Sequence, residues 1–163
     1  MNSDKALKFI DKNKDSLLKD LQTLIHQPSV SAKNEGIEEC SVLVSKILKK
    51  SGINSEILRL GKNAAPLVYG EVKSKNNPNT TLLFYNHYDV QPVEPMELWD
   101  DPPFSGKIIG NKIFGRGASD DKGELITRIK AVESYLKTHD DVPCNVKFVI
   151  EGEEENGSEN IER

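Results

Sequence analysis

The chain has 163 residues and a formal net charge of −4, so it is long enough for one domain with a substantial hydrophobic core. Its acidic and basic residues are interleaved, which excludes the basic stripe of a nucleic-acid-binding protein and the one-sign block of a charged tail. The longest apolar runs are too short to cross a bilayer, and the N-terminus lacks the apolar core of a signal peptide. We therefore expect a cytoplasmic protein that contacts neither membrane nor nucleic acid, with Cys40 and Cys144 as reduced thiols.

Predicted helices and strands alternate along the chain. Apolar residues at helical spacing predict three helices, over residues 4–26, 36–51 and 122–138. Pro28 and Gly52 end the first two helices. The predicted inner face of the second helix consists of Val42, Leu43, Ile47 and Leu48. Short β-prone runs predict strands over 53–59, 67–73, 80–86 and 145–150, with a hairpin in "KIIGNKIF" that turns at Gly110-Asn111. This alternation favours helices packed on a mixed sheet.

The first candidate site segment is "NHYDVQP", residues 86–92, at the end of the third predicted strand. His87 and Asp89 are two residues apart, so on an extended strand both side chains project to the same face. Asp89 can then accept a hydrogen bond from one ring nitrogen of His87 and leave the other nitrogen free for a metal ion. The alternative is an ordinary strand-end histidine that is hydrogen-bonded by a neighbour.

The second candidate segment is "GRGASDDKGE", residues 115–124, in the loop that leads into the last predicted helix. Its glycines allow a tight turn that can direct a carboxylate, from Asp120 or Asp121, into a cleft. Either aspartate could instead be an ordinary helix cap. A phosphate-binding loop is disfavoured because neither glycine-rich phosphate pattern is complete.

The third candidate segment is "EGEEENGS", residues 151–158, which follows the last predicted strand. A run of glutamates is usually a solvated loop, but two adjacent glutamates can also divide the tasks of binding a metal ion and moving a proton. All three segments lie at or after the carboxyl ends of strands, where α/β sheets place their ligand sites. Together they offer histidine, aspartate and glutamate ligands, which suit a pair of divalent ions such as zinc or manganese.

In this order, "NHYDVQP", "GRGASDDKG" and "EGEEENGS" resemble the three N-terminal signatures of the co-catalytic dizinc peptidases of family M20. The family includes carnosinase-like dipeptidases, acetylornithine deacetylase, succinyl-diaminopimelate desuccinylase and aminoacylase. "HYDVQP" followed by "ELWDDPPF" most resembles the dipeptidase branch. The resemblance implies a three-layer α/β/α fold with a mixed, mostly parallel sheet, and two divalent metal ions, zinc first, with manganese or cobalt as alternatives.

Carried over by position, the resemblance implies that His87, Asp120 and Glu155 are metal ligands and that Asp120 bridges the two ions. Asp89 would orient His87. The implied reaction is hydrolysis of an amide bond, in which Glu154 is the general base that takes a proton from the attacking water and passes it to the leaving amine.

The same resemblance implies two further features. The family pattern in the third segment leaves Glu153 as a variable position, and the family holds a non-proline cis peptide after the bridging aspartate, which here is the Asp120-Asp121 bond. The remaining histidines, His26 and His139, lie near the ends of predicted helices, so we expect surface or capping roles for them.

The family draws one more acidic ligand and one more histidine from sequence beyond position 163, and it inserts a lid domain that commonly dimerises. Residues 1–163 are therefore expected to form the N-terminal part of the catalytic domain, without the lid and the C-terminal half. Such a piece should bind metal weakly and hydrolyse nothing alone. For the full-length protein we expect hydrolysis of a dipeptide and homodimerisation through the lid. The alternatives are an N-acyl-amino-acid deacylase of the same family and a non-catalytic binding module.

Overall fold

The computed structural model describes residues 1–161; residues 162 and 163, the last of the expected domain, lie outside that range. The α-helices cover Ser3–Lys12 (α1), Lys14–His26 (α2), Ile37–Lys50 (α3) and Lys122–His139 (α4). The strands cover Asn54–Leu58 (β1), Leu67–Val72 (β2), Thr81–His87 (β3), Lys107–Ile109 (β4), Lys112–Phe114 (β5) and Asn145–Glu151 (β6). The second and third predicted helices and the four long strands are confirmed, with ends that differ by at most one residue. The predicted hairpin is also confirmed, as β4 and β5.

Four of the strands form one mixed sheet in the order β1-β2-β6-β3. β1 pairs with β2, and β2 with β6, in the antiparallel sense, whereas β3 and β6 run parallel. The mixed α/β class is therefore confirmed, but the sheet is not mostly parallel as the family resemblance implied. The connections explain the difference. A short loop joins β1 to β2 and lets them pair as antiparallel neighbours, whereas α4 lies between the parallel strands β3 and β6.

The helices cover one face of this sheet. α3 packs on β1 and β2, α4 packs on β3, and α1 and α2 lie against α4. On the covered face, the Arg128 guanidinium lies 5.7 Å from the ring centroid of Phe84. On the opposite face of β3, Leu83 and Tyr85 are exposed. Among residues 1–161 the α-helices therefore pack on one side of the sheet.

Two local predictions about the helices are wrong. The helix predicted over 4–26 is divided at Asn13, where the backbone leaves helical angles (φ −112°, ψ 16°). The Asn13 side chain donates to the Phe9 carbonyl at 2.7 Å, which satisfies a helix-end acceptor locally and allows α1 to stop there. Val42 is 42% exposed. The buried stripe of α3 instead includes Cys40, Val44, Ile47 and Leu48.

The hydrophobic core lies between the sheet and the helices. Many of its fully buried apolar side chains come from α2, α3, α4, β2 and β6, and they include Leu24, Ile25, Val44, Leu48, Val68, Leu125, Phe148 and Ile150. The parallel register of β3 and β6 places His87 opposite Glu151. The carboxyl ends of both strands therefore open at the same edge of the sheet. Within the part of the chain that the structure describes, no helix is both long and apolar enough to cross a membrane.

Candidate metal centre

The three candidate segments meet at the carboxyl ends of β3 and β6. His87 ends β3, Asp120 and Asp121 stand immediately before α4, and Glu154–Asn156 form a 3₁₀ turn shortly after β6. Loops that are distant along the chain thus converge on one edge of the sheet, as α/β sheets commonly arrange their ligand sites.

His87 lies at the centre of this cluster. Its side chain is buried, and its Nε2 lies 3.0 Å from Asp120 Oδ1 and 3.8 Å from Glu154 Oε2. Its Nδ1 lies 3.3 Å from Asp89 Oδ1 and 3.1 Å from the Asp89 carbonyl oxygen. Burial would lower the pKa of His87, but the hydrogen bond and charge of Asp89, with smaller contributions from Asp121 and Asp120, raise it to about 9. The ring is therefore oriented by Asp89 and presents its other nitrogen to two carboxylates.

The adjacent aspartates before α4 have opposite environments. The Asp120 side chain is 76% exposed and contacts His87 Nε2. Asp121 is 8% exposed, and its Oδ2 accepts hydrogen bonds from Asn86 Nδ2 at 2.7 Å and from His87 N at 3.0 Å. Burial raises the pKa of Asp121 despite these two donors. Asp121 occupies the N-cap position of α4 without a side-chain capping bond. Its carboxylate therefore bonds to β3 and not to the backbone amides at the start of α4. The predicted cis peptide at Asp120-Asp121 is confirmed.

Glu154 and Glu155 face different partners. Their backbone amides both donate to the buried Asp89 carboxylate, at 3.2 Å from Glu154 N and 3.0 Å from Glu155 N. The Glu154 carboxylate points towards His87, whereas Glu155 Oε2 accepts a hydrogen bond from Gln91 Nε2 at 2.7 Å. Burial and the charges of neighbouring carboxylates outweigh His87 and raise the pKa of Glu154. A raised pKa makes this carboxylate a better proton acceptor.

Glu153, the residue that the family pattern leaves variable, fastens the third segment to the rest of the chain. Its Oε2 accepts a hydrogen bond from Ala65 N at 3.2 Å, and its Oε1 accepts one from Asn160 N at 2.9 Å. The three consecutive glutamates of "EGEEENGS" therefore have three separate sets of partners, and the run is not a uniformly solvated loop.

The donors in this cluster fit part of a metal site. An imidazole nitrogen and a carboxylate oxygen 3.0 Å apart, from His87 and Asp120, are ligand types that zinc and manganese accept. Within residues 1–161 no group of three or more His, Cys, Asp or Glu side chains is arranged to hold a metal ion, and the Glu155 carboxylate is engaged by Gln91. The cluster thus offers two donor atoms of the types that metal sites use, with the Glu154 carboxylate beside them.

Lys122 is a supporting residue that the sequence patterns do not single out. It is fully buried, and its Nζ donates to the carbonyls of Leu24 at 3.0 Å and Gln27 at 2.6 Å. These bonds tie the end of α2 to the start of α4, two residues after Asp120. Burial lowers the pKa of Lys122. A lysine beside two aspartates is normally solvated, so no local signal indicates this role.

Tyr88 fixes the spacing between the first and third segments. It is fully buried, and its Oη donates to the Pro66 carbonyl at 2.7 Å. Gly152 lies against the Tyr88 ring, where a Cβ would overlap Cζ and Oη. The glycine of "EGEEENGS" is therefore required by this close approach. The sequence contains that signal but does not reveal the partner.

The other two histidines lie outside the cluster, as predicted. His26 is exposed and its Nε2 meets the Ser105 carbonyl oxygen at 2.8 Å. His139 stacks on Tyr135 at the end of α4, with ring centroids 5.4 Å apart. Both positions suit surface or helix-end roles.

Several known proteins are similar to this chain along most of its length. The family model described as Peptidase family M20/M25/M40 matches residues 83–163. The Cys-Gly metallodipeptidase dug1 of Schizosaccharomyces pombe is 37% identical over 99% of the chain. The succinyl-diaminopimelate desuccinylase of Blochmanniella pennsylvanica is 33% identical over 88% of it. The crystal structure of human carnosine dipeptidase 1 covers 98% of the chain with a TM-score of 0.88 and 27% sequence identity. The chain spans 36% of the length of each of these three proteins.

Proposed function

Since the chain belongs to peptidase family M20/M25/M40, we propose that it forms the N-terminal part of the catalytic domain of a metal-dependent dipeptidase. The observation that carries this proposal is the convergence of His87, Asp120 and Glu154 at one sheet edge, with Asp89 behind the imidazole. The chain spans 36% of the length of each of these two relatives. A lid domain and the C-terminal half of the catalytic domain would therefore supply the remaining ligands and the dimer contact.

The residues have distinct proposed roles. His87 Nε2 and the Asp120 carboxylate bind metal, and Asp89 keeps the ring of His87 in place through Nδ1. Glu154 is the general base, which its position beside His87 and its raised pKa support. Glu155 is the ligand of the second ion and would exchange its hydrogen bond with Gln91 for that role. Two divalent ions, zinc by preference, supply Lewis-acid polarisation of the amide carbonyl and a more acidic water.

A dipeptide is the favoured substrate. The metallodipeptidase relative is 37% identical over 99% of the chain, compared with 33% over 88% for the desuccinylase. An N-acyl amino acid is the second candidate, because the desuccinylase is a deacylase of the same family. We also propose a cytoplasmic location for the full-length enzyme. Residues 1–163 alone would bind metal weakly and hydrolyse nothing, since the described residues lack a three-ligand group.

The test is metal analysis of the full-length protein together with a panel of dipeptides and acyl amino acids. Glu154→Ala should lower turnover by about 10²–10⁴-fold while most of the bound metal is retained. Glu155→Ala should lose metal. Glu153→Ala is the comparison within the same run: it removes the hydrogen bonds from Ala65 N and Asn160 N and should lower the melting temperature. It should lose less turnover than Glu154→Ala and less metal than Glu155→Ala.

Two results would contradict the proposal. A full-length protein that binds no divalent metal and hydrolyses no member of the panel would favour a non-catalytic binding module. Metal loss in Glu154→Ala with metal retained in Glu155→Ala would mean that the two roles are exchanged within the run.

A further inference from the structure

Few contacts hold the Asp120 side chain in place among the described residues. Its side chain is 76% exposed, and its contact among the described residues is with His87 Nε2 at 3.0 Å. An exposed side chain with one contact keeps much of its rotamer freedom. The position of this carboxylate must therefore be set by the backbone that carries it, and the next residue along that backbone is the buried Asp121.

Asp121 joins this backbone to the strand that carries the histidine. One oxygen, Oδ2, accepts hydrogen bonds from His87 N at 3.0 Å and from Asn86 Nδ2 at 2.7 Å. The His87 and Asp120 side chains therefore meet at their tips, while their backbones are tied through a single carboxylate oxygen. On its other side, the Asp121 carbonyl accepts Leu125 N at 2.9 Å, which fixes the same residue to the first turn of α4.

Asn86 is a buried hydrogen-bond donor to Asp121. It is 1% exposed, and its Nδ2 donates to Asp121. Its Oδ1 is buried without a hydrogen-bond partner among the described residues, so the bond from Nδ2 to Asp121 is the side-chain hydrogen bond that this amide makes there. Burying an amide with one unsatisfied atom costs free energy of folding. The hydrogen bond from Asn86 Nδ2 to Asp121 Oδ2 offsets part of that cost.

We propose that Asp121, with Asn86 as its donor, is a positioning residue that holds the Asp120 carboxylate opposite His87. The proposal rests on the proposed metal-dependent function. Asp121 itself points to the strand and would contact neither metal nor substrate.

The experiment measures zinc affinity of the full-length enzyme by competition with a chelator, beside thermal unfolding of the metal-free protein. Asp121→Ala removes the acceptor of both hydrogen bonds and should weaken zinc binding by about 10–100-fold. Asp121→Asn keeps a carbonyl oxygen that can accept from both donors, so it should restore affinity to within roughly twofold of the wild type. Asn86→Ala removes one of the two bonds and should weaken affinity by about two- to tenfold.

Asp141 provides a matched control. It is as buried as Asp121, and its carboxylate likewise accepts one backbone amide and one asparagine amide, from Lys75 N at 2.9 Å and Asn76 Nδ2 at 2.6 Å. Asp141→Ala should lower the melting temperature of the metal-free protein to a similar extent as Asp121→Ala. Its zinc affinity should stay within roughly twofold of the wild type.

The outcomes separate this proposal from the function on which it rests. Tight zinc binding by the wild type with unchanged affinity in Asp121→Ala would overturn the positioning role alone. Equal losses of affinity in the Asp121→Ala and Asp141→Ala variants would also overturn it, because the effect would then follow general stability. A wild-type enzyme that binds no zinc would overturn the proposed function as well. If Asp121→Ala does not fold, the affinities of Asp121→Asn and Asn86→Ala decide the question.

Discussion

Asp89 is the residue whose removal should affect the candidate site most, even without metal. Its carboxylate is fully buried and accepts backbone hydrogen bonds from Glu154 N at 3.2 Å and Glu155 N at 3.0 Å, besides facing His87 Nδ1 at 3.3 Å. Hydrogen bonds to a charged group contribute about 1.5–3 kcal/mol each. The two amides are only partly buried and can turn to water, so the low end applies to both. Asp89→Ala should therefore lower the free energy of unfolding of the metal-free protein by about 3 kcal/mol.

The assay is equilibrium urea unfolding, in which a shift of the midpoint at constant slope reports a change in stability. Asp89→Asn retains one acceptor oxygen and should lose about half as much stability. Asp101→Ala is the control, because its partner is the exposed Lys107 and such surface pairs contribute about 0–1 kcal/mol. If Asp89→Ala were no less stable than Asp101→Ala, the interpretation of Asp89 as the link between the first and third segments would be refuted.

Two further predictions concern the surroundings of the site. Gly152→Ala should destabilise the protein by about 1–3 kcal/mol, because its Cβ would overlap the buried Tyr88 ring. The loss of stability should be smaller in a Tyr88→Leu background. An equal loss in both backgrounds would show that the overlap is not the cause. Burial opposes the ionised form of Asp20, but hydrogen bonds from Lys130 and Lys50 outweigh it and hold the pKa of Asp20 below its ordinary value of 3.8. The unfolded state then binds a proton more readily, so the contribution of Asp20 is present above pH 3.8 and is lost as the pH falls through the lower folded pKa. Thermal unfolding on acidification should show a steeper loss in the wild type than in Asp20→Asn, and equal slopes would contradict the assignment.

The elements of this fold that depend on local sequence could be predicted, and those that depend on distant partners could not. Strand and helix periodicity set the bounds of β3, β6 and α4 to within one residue, and Gly110-Asn111 marked the hairpin. The break at Asn13 escaped prediction because it depends on one side-chain hydrogen bond. The pairing of β2 with β6 joins segments separated by about half of the chain, and no pattern in either strand specifies that neighbour.

The candidate site divides in the same way. The spacing of His87 and Asp89 was enough to place the carboxylate beside the imidazole, because alternation along a strand is a local property. The hydrogen bonds from the amides of Glu154 and Glu155 to the Asp89 carboxylate join residues that are 65 and 66 positions apart in the sequence. A pattern within either segment contains no information about that contact.

Neighbouring residues of the same type show most clearly why sequence alone was insufficient. Asp120 and Asp121 are chemically identical, yet the first is exposed towards His87 and the second is buried against β3. Their difference arises from which side of the chain faces the strand, and that is decided by the packing of the whole loop between β3 and α4. Residue type therefore identifies the chemistry available in such a run, while the assignment of one task to each residue requires the tertiary contacts. Roles within a cluster of equal acids should accordingly be tested one position at a time, with the neighbouring acid as the control.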